Sequence, residues 1–329
     1  MNPRRIILAG GSGFLGSALA KRFRERGDEV IVLTRRASVR GDGVKEVAWD
    51  ARSLGNWEQF VDGADVVVNL TGRSVDCRYN ARNRRNIIAS RVDSTRVLGE
   101  AIALAAPPPR VWLNASSATI YKHTFDTPMD ETGQQGATPE AKDEFSIEVI
   151  REWEQAFNVE YGVRSAESSQ SLLTSAATKT RKVALRITMV LGLGGGVFPV
   201  LRRLAKFGLG GRMGSGRQYV SWIHEEDFCR AVEWLIEHED ISGAVNLAAP
   251  NPVPNAEMMR LFREVCDLPS GLPATEWMLE VGAFFLRTET ELILKSRRVV
   301  PGRLLASGFQ FQFPEMREAL NDLAARPKG

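Results

Sequence analysis

The chain has 329 residues, of which 43% are hydrophobic and 25% charged, an ordinary balance for a globular protein that can fill a core. Its 43 basic and 40 acidic residues leave a net charge of +3, too small to favour nucleic acid or a membrane surface as a partner. The three cysteines lie far apart and form no C-x-x-C pair, so we expect no zinc site, no redox motif and no other bound metal.

Short apolar runs rich in Val, Ile and Leu recur along the chain and predict buried strands. The first begins almost at Met1, which leaves no room for a signal or transit peptide. No apolar run is long enough to span a bilayer, and the sparse cysteines fit a reducing compartment, so we expect a cytoplasmic protein. The predicted strands are 5–10, 29–35, 45–50, 65–72, 110–117, 182–192 and 243–250.

Helix-like segments separate these strands. An amphipathic segment closed by Gly27 follows the first strand, and residues 94–106 and 225–238 have helical periodicity. This β-α-β alternation predicts an α/β fold, a doubly wound parallel Rossmann sheet with right-handed crossovers.

Two regions interrupt the alternation. Residues 165–181 are rich in Ser and Thr and predict a surface loop inserted before the sixth strand. Residues 192–217 and 250–329 are interpreted as a smaller C-terminal cap domain for the substrate. The nucleotide-binding Rossmann domain is then expected over 1–191 and 218–249.

The segment GGSGFLG at 10–16 lies between a predicted strand and a predicted helix. Its first glycine permits a tight turn, its second lets the backbone approach a pyrophosphate, and its third permits close helix–strand packing. The helix N-terminus offers free N–H groups to phosphates. In this context the pattern predicts a dinucleotide site, against the alternative of an ordinary glycine-rich turn. The cofactor-binding residues assigned here are Gly10, Ser12, Gly13, Phe14, Leu15 and Gly16.

The second predicted strand ends in Thr34, Arg35 and Arg36, where NAD-binding proteins usually carry an acid for the ribose 2′-hydroxyl. A guanidinium group matches the 2′-phosphate of NADP, so we predict NADP(H) as the cofactor. A solvated basic turn is the alternative. Because ligands of parallel sheets sit at the carboxyl ends of the strands, further cofactor contacts are expected at Asp50, Leu70, Thr71 and Gly72.

Six ordered motifs extend the pattern: GGSGFLG (10–16), GADVVVNLTG (63–72), NASSATIY (114–121), LRITMVLG (185–192), YVSWIHEEDF (219–228) and GAVNLAAP (243–250). Together they resemble the extended short-chain dehydrogenase/reductases, the group that contains the sugar-nucleotide epimerases. More narrowly, segments 208–228 and 290–309 resemble the atypical 39U-like epimerase branch of the NAD-dependent epimerase/dehydratase superfamily, with its C-terminal domain of unknown function.

The resemblance implies a catalytic Ser with a Y-x-x-x-K pair on one helix face, whose lysine lowers the pKa of the tyrosine. None of the four tyrosines here has a lysine four residues further on. The helix predicted at 143–157 carries Phe145, Ser146, Val149 and Ile150 at the plausible positions. The resemblance therefore does not carry over the central catalytic machinery.

The serine position is kept. Ser117 matches the family's catalytic serine at the end of the fifth strand, and Ser116 beside it is a predicted cofactor contact; a serine that satisfies strand-end backbone is the alternative. Tyr121 and His123 are candidate substitute acids above the nicotinamide. A pocket wall for Tyr121 and an exposed loop position for His123 are the alternatives.

The remaining site residues follow from the resemblance. Near the nicotinamide we expect Ser90, Arg91, Arg186, Thr188, Met189 and Val190, although Arg186 can equally be a structural ion-pair residue. Arg212 and Arg217 on a glycine-rich loop are expected to bind substrate phosphates. The alternative is that both side chains are solvated on an exposed loop. His224 and Asp227 are interpreted as structural. Lys295, Arg297, Arg298 and Arg303 are interpreted as a surface face pairing with Glu289 and Glu291.

Two functions remain open from the sequence. The first is an NADP(H)-dependent oxidoreductase or epimerase acting on an anionic small molecule such as a nucleotide sugar. The second is a non-catalytic NADP(H)-sensing or regulatory protein, for which family labels suggest a link to cell division. Nucleic acid and membrane partners are not expected, and a homodimer stays open.

Overall fold

The computed structural model describes residues 3–161, 180–280 and 290–326. Most of the predicted 165–181 insertion therefore lies outside the described residues, and Arg181 already belongs to a strand. The strands are β1 (Arg5–Ala9), β2 (Glu29–Thr34), β3 (Lys45–Ala48), β4 (Val66–Asn69), β5 (Val111–Ser117), β6 (Arg181–Ile187), β7 (Met189–Leu191), β8 (Tyr219–Val220), β9 (Trp222–His224), β10 (Gly243–Leu247) and β11 (Val253–Pro254).

The described helices alternate with these strands and then continue beyond the last of them. They are α1 (Phe14–Glu25), α2 (Ala81–Leu104), α3 (Glu144–Asn158), α4 (Phe198–Leu204), α5 (Glu225–Glu237), α6 (Asn255–Glu264), α7 (Glu291–Leu294), α8 (Gly302–Ala306) and α9 (Met316–Ala325).

Seven parallel strands form one sheet in the order β10-β6-β5-β4-β1-β2-β3. Alternate residues of each strand point to opposite faces, so both faces need apolar cover. On one face Leu8 and Val68 pack with Phe23 of α1 and Phe228 of α5. On the other, α2 and α3 cover the sheet. The predicted doubly wound Rossmann architecture is confirmed.

Helix α2 is longer than predicted. It begins at Ala81 rather than near residue 94, because the Asn80 side chain accepts a hydrogen bond from the Asn83 N–H and caps the helix there. The first turns of α2 are polar and largely exposed, so they lack the apolar period that marks a buried helix.

A second core joins α4, α6 and α9 through Phe198, Phe262 and Leu320. The last part of the chain does not belong wholly to it, because Leu304 and Phe309 pack in the core of the sheet. The predicted cap range 250–329 therefore combines a separate helical core with a segment that returns to the Rossmann domain.

Two residues interpreted as structural hold this returning segment. The Asp227 carboxylate accepts hydrogen bonds from the N–H groups of Gln312 and Phe313 at 2.8 and 2.7 Å. The His224 Nδ1 accepts from the Glu226 N–H and caps α5. Burial lowers the pKa of His224 to about 4, so the ring is neutral at pH 7 and can serve as this acceptor.

Across the described ranges, no helix has both the length and the apolar character needed to cross a membrane.

Candidate functional site

The three glycines of the turn between β1 and α1 have different roles. Gly10 has a φ of +78°, and a Cβ there would lie 2.9 Å from the Leu70 carbonyl carbon. At Gly16 a Cβ would lie 2.5 Å from the Gly11 Cα. At Gly13 the φ is −82° and the nearest atom to a Cβ would be 3.5 Å away. The fold itself requires the first and third glycines, whereas the exposed Gly13 can be required only by what binds there.

The N-terminus of α1 is open to an anion. Gly13 is the N-cap, so no side chain caps the helix, and its first turn contains no acidic residue. Ser12 is exposed beside it, and its hydroxyl accepts from the Thr34 hydroxyl at 3.4 Å. Leu15 is half-buried against the sheet core.

A second glycine-rich segment, residues 192–196, covers Phe14. A Cβ at Gly195 would lie 2.9 Å from the Phe14 Cβ, and one at Gly192 would lie 2.6 Å from the Phe14 ring. The sequence interpretation missed this contact, although the run GLGGG was a signal that some backbone approach was needed there.

Arg35 and Arg36 follow β2 and are exposed. Neither guanidinium has an ion pair or hydrogen bond with a residue that the structure describes. Arg40, five residues after Arg35, is instead paired with Asp42 and Glu46. Two free guanidinium groups therefore stand at the end of the strand where a 2′-phosphate is expected.

The Asp50 carboxylate is already occupied by its own turn. It accepts from the N–H groups of Arg52 and Ser53 and from the Ser53 hydroxyl, at 2.6 to 2.9 Å. These hydrogen bonds lower the pKa of Asp50 to about 2. Its predicted contact with adenine stays a prediction, and the turn leaves little of the carboxylate free for it.

The segment after β4 supplies an unused hydroxyl. The Leu70 N–H donates to the Ala9 carbonyl and the Thr71 N–H to the Asn69 side chain, which fixes the backbone beside Gly10. The Thr71 Oγ1 is buried and has no partner among the described residues, a situation that is costly unless a ligand or water supplies one.

A cavity of about 120 Å³ lies between the end of β5, α2 and α3. Ser117 lines it; its Oγ accepts from the Thr119 N–H at 3.2 Å and donates to the Thr119 hydroxyl at 3.1 Å. The Ser117 hydroxyl therefore satisfies a backbone N–H, as the alternative interpretation expects. The same residue also lines the cavity. The other lining residues are Val75, Tyr79, Arg91, Thr119, Phe145, Ser146, Val149, Ile150 and Trp153.

The helix positions expected to hold a Tyr–Lys pair line this cavity. Phe145 and Val149 lie one turn apart on α3, as do Ser146 and Ile150. Phe145 packs edge-on against the Tyr79 ring, with centroids 4.7 Å apart, and the Ser146 hydroxyl donates to Glu291. No tyrosine–lysine pair stands on this wall of the cavity.

Ser116, Tyr121 and Arg186 belong to a buried network rather than to the cavity. Glu154 accepts from the Ser116 Oγ at 2.6 Å and from the Arg186 Nε and Nη2 at 2.9 and 2.8 Å. The Tyr121 hydroxyl accepts from the Arg186 Nη1 and donates to Asn246. Burial raises the pKa of Tyr121. The structure therefore argues against Tyr121 as a proton donor and favours the ion-pair alternative for Arg186.

His123 also lies outside the cavity wall. Its Nδ1 accepts from the Ser296 N–H at 3.0 Å, and burial lowers its pKa. It is half-buried under the C-terminal segment rather than on an exposed loop. This engaged nitrogen argues against His123 as the substitute acid.

In the segment after β6, several backbone groups already form hydrogen bonds within the protein. The Thr188 N–H and hydroxyl donate to the Leu247 carbonyl, the Met189 N–H donates to Ser221, and Val190 is buried in the sheet core. On α2, the Ser90 hydroxyl accepts from the Arg73 N–H and so holds the loop after β4. The predicted nicotinamide contacts of these residues stay predictions.

The basic cluster of the C-terminal segment is not a solvated surface face. Lys295 is 2% exposed, ion-paired with the buried Asp143, and donates to the Thr119 carbonyl at 2.7 Å. Arg297 has a buried Nε and Nη2 without a partner in the described part of the chain. The predicted partner Glu289 lies outside the described residues. This interpretation was wrong for Lys295 because its counter-ion is 152 residues away in sequence.

Arg212 and Arg217 are exposed and do not line the cavity beside Ser117. The Arg212 Nη1 donates to carbonyls of its own loop, and the Arg217 guanidinium lies 5.7 Å from the Phe125 ring centroid. Their predicted contact with substrate phosphates stays a prediction.

A larger cavity of about 550 Å³ is lined by Arg186 of β6, Ala244 of β10, Glu131 and Arg303, among others. In the sheet, β6, β5 and β4 separate β10 from β1 and its glycine-rich turn. Its acid Glu131 is already bonded to the N–H groups of Asn246 and Arg303. The cavity at Ser117, by contrast, lies at the end of β5, which only β4 separates from β1.

Among the residues that the structure describes, no group of three or more His, Cys, Asp or Glu side chains is arranged to hold a metal ion.

Comparison with known proteins agrees with this geometry. Residues 6–248 match the family model of the NAD dependent epimerase/dehydratase family, and residues 274–323 match a domain of unknown function, DUF1731. The chain is 30% identical to the epimerase family protein SDR39U1 of Mus musculus over 98% of this chain and 100% of the relative. It is 32% identical to the epimerase family protein ML0860 of Mycobacterium leprae, over 98% and 96%.

A solved structure is similar over the whole fold. The crystal structure of human epimerase family protein SDR39U1 with NADPH superposes with a TM-score of 0.80 at 28% identity, covering 97% of this chain and 99% of that one.

Proposed function

Because the chain belongs to the NAD dependent epimerase/dehydratase family, we propose that it binds NADP(H) and transfers hydride to or from a small anionic molecule held beside Ser117. The observation that carries the proposal is the position of the Ser117 hydroxyl, which faces a cavity at the same carboxyl edge of the sheet as the Gly10–Gly16 turn. The free thiols of Cys77, Cys229 and Cys266 support the cytoplasmic location proposed with it.

The residues present fit NADP(H). Gly13 leaves space where a pyrophosphate approaches, the uncapped start of α1 offers N–H groups, and Thr71 offers an unpartnered hydroxyl. Arg35 and Arg36 supply free guanidinium groups for a 2′-phosphate. The human relative that was crystallised with NADPH supports the same cofactor.

When bound, NADPH supplies a hydride to a carbonyl carbon, and the carbonyl oxygen then takes up a proton. The Ser117 hydroxyl, which donates to the Thr119 hydroxyl here, would turn to donate to that oxygen as its charge develops, while the Thr119 N–H still binds its Oγ. The apolar wall formed by Phe145 and Val149 excludes bulk water from this point.

Charge reversal at Arg35 tests the cofactor. Arg35→Asp should weaken NADPH binding about ten- to hundred-fold, because a charge-assisted contact with phosphate is worth about 1.5–3 kcal/mol, and should change NADH binding much less. Titration of both nucleotides by NAD(P)H fluorescence measures the difference. Arg82→Asp, an exposed position on α2, is the matched control and should bind both as the native protein does. Equal affinity of the native protein for the two nucleotides would refute the preference.

Removal of the Ser117 hydroxyl tests the reaction centre. In a turnover assay with NADPH and a panel of carbonyl compounds and nucleotide sugars, Ser117→Ala should lower kcat about ten- to hundred-fold while NADPH affinity stays unchanged. Tyr121→Phe is the contrast: its hydroxyl bonds Asn246 and Arg186, so its loss should cost about 1–3 kcal/mol of stability. An active native enzyme that keeps its turnover in Ser117→Ala would place the reaction elsewhere.

A second function, a non-catalytic NADP(H)-binding sensor, is supported by the absence of tyrosine and lysine at the positions expected to hold the Tyr–Lys pair, Phe145, Ser146, Val149 and Ile150. Tight NADPH binding with no turnover over the whole panel would favour it over the enzyme.

A further inference from the structure

Arg91 is a half-buried cation that is paired with no anion among the described residues. Its guanidinium lies against Gly72 on one side and 5.1 Å from the Trp153 ring centroid on the other. Its Nη1 donates to the carbonyls of Arg73 and Ile87, both at 3.1 Å. Within the described ranges, no carboxylate pairs with it. Burial lowers its pKa to about 10, as desolvation does to a cation that lacks a counter-charge.

One edge of this guanidinium is left for a ligand. Nη1 is occupied by carbonyls, whereas the structure records no hydrogen bond from Nε or Nη2 to a described residue. In the ion pair of Arg186 with Glu154, the same Nε and Nη2 edge binds the two oxygens of a carboxylate. The free edge of Arg91 belongs to a side chain that lines the cavity containing Ser117.

The charged residues behind the cavity do not neutralise the positive charge of Arg91. Lys295 pairs with Asp143 and donates to the carbonyl of Thr119, a lining residue. Glu291 accepts from Ser146, another lining residue, and the cationic Arg297 is close enough to lower its pKa, although burial raises that pKa overall. Lys295 and Asp143 therefore pair with each other and Glu291 lies near Arg297, so none of these carboxylates pairs with Arg91.

The size and the walls of the cavity limit which anions can bind to Arg91 there. Its 120 Å³ is well below the roughly 300–1,000 Å³ of pockets that enclose drug-sized ligands, so a nucleotide sugar cannot be held within it. Phe145, Val149 and Trp153 provide an apolar wall opposite the polar groups. A short acid with an apolar body matches this lining.

We propose that the cavity beside Ser117 is a carboxylate site, in which Arg91 pairs with a small monocarboxylic acid whose carbonyl or hydroxyl group lies at Ser117. The inference rests on the proposed function, because it names the substrate class of the same site. It assigns the anionic group of the substrate to Arg91, which the sequence predicted as a cofactor contact, rather than to Arg212 and Arg217.

Calorimetric titration of the full chain loaded with NADP⁺, which cannot reduce the probes, tests the site. The probes are 2-oxobutyrate and 2-oxo-3-methylbutyrate, their amides, and inorganic phosphate. Both acids should bind, and each amide, which has the same shape without the charge, should bind at least about tenfold more weakly. Phosphate should bind more weakly than either acid. An acid and amide of equal affinity, no binding of either acid, or tighter binding of phosphate would each overturn the proposal.

Variants assign the charge to Arg91. Arg91→Met should lose the preference for acid over amide, and Arg85→Met, an exposed arginine on the same helix, should keep it. If Arg91→Met does not fold, Arg91→Lys retains the charge without the bidentate edge and should bind the acids at least about threefold more weakly. Unchanged acid binding in both folded Arg91 variants contradicts the inference. Loss of NADPH binding by the native chain would instead refute the proposed function, so the two failures are distinct.

Discussion

Replacement of Gly13 by valine should abolish NADPH binding and leave a folded protein. The φ of −82° suits any residue, and a Cβ there would meet nothing closer than the Gly10 carbonyl oxygen at 3.5 Å. The loss of a good N-cap residue costs about 1 kcal/mol. The side chain would instead fill the space that a pyrophosphate needs against the helix N-terminus. Fluorescence titration measures the affinity for NADPH, and thermal unfolding measures whether the protein stays folded.

Gly16→Val is the matched contrast within the same turn. Its Cβ would lie 2.5 Å from the Gly11 Cα, a backbone atom that cannot move without distorting the turn, so we expect a large loss of stability. Undiminished NADPH binding by a folded Gly13→Val protein would show that no pyrophosphate lies at this turn. Unfolding of Gly13→Val with a stable Gly16→Val would reverse the roles that the geometry assigns to the two glycines.

Loss of the Lys295 ammonium group should destabilise the protein by about 3–5 kcal/mol, because Lys295→Met leaves the buried carboxylate of Asp143 without its counter-charge. Neither side chain has exposed surface, so water cannot replace the lost partner. Urea unfolding at pH 7 measures the change in free energy.

Two variants separate the ion pair from other effects. Lys142→Met removes a neighbouring lysine whose side chain is 80% exposed, and should change stability by less than about 1 kcal/mol. Lys295→Met combined with Asp143→Asn removes both charges and should recover part of the loss, since the amide can still accept from the Thr138 N–H. A Lys295→Met protein as stable as the native one would mean that the buried pair contributes nothing.

The sheet was predictable because its signal is local. Strands such as Val66–Asn69 are buried on both faces and read as continuous apolar runs, and the glycine spacing follows from the turn that joins β1 to α1. The start of α2 was missed because a polar, exposed turn has no apolar period, and only the Asn80 cap marks it.

The reaction centre was only partly predictable. Ser117 follows from its position at the end of β5, whereas the roles of Tyr121 and Arg186 depend on which strands are neighbours. Lys295 and Asp143 illustrate the limit most clearly. A run of basic residues is usually a solvated face, and nothing near it in sequence indicates a buried acid 152 residues away.

The returning C-terminal segment also constrains the order in which the protein can be completed during synthesis. Met129 exchanges backbone hydrogen bonds with Arg298 and Val300, and Asp143 has its cation at Lys295. A ribosome that adds 5–20 residues each second needs roughly 8–30 s to travel the 152 residues from Asp143 to Lys295. Throughout that interval the nascent chain can form the first strands of its sheet, but the carboxylate must stay hydrated and the loop around Met129 unpaired. The substrate side of the protein is therefore completed only late in synthesis, after Lys295 and Val300 have been added, and we expect chaperones to meet it in that open form.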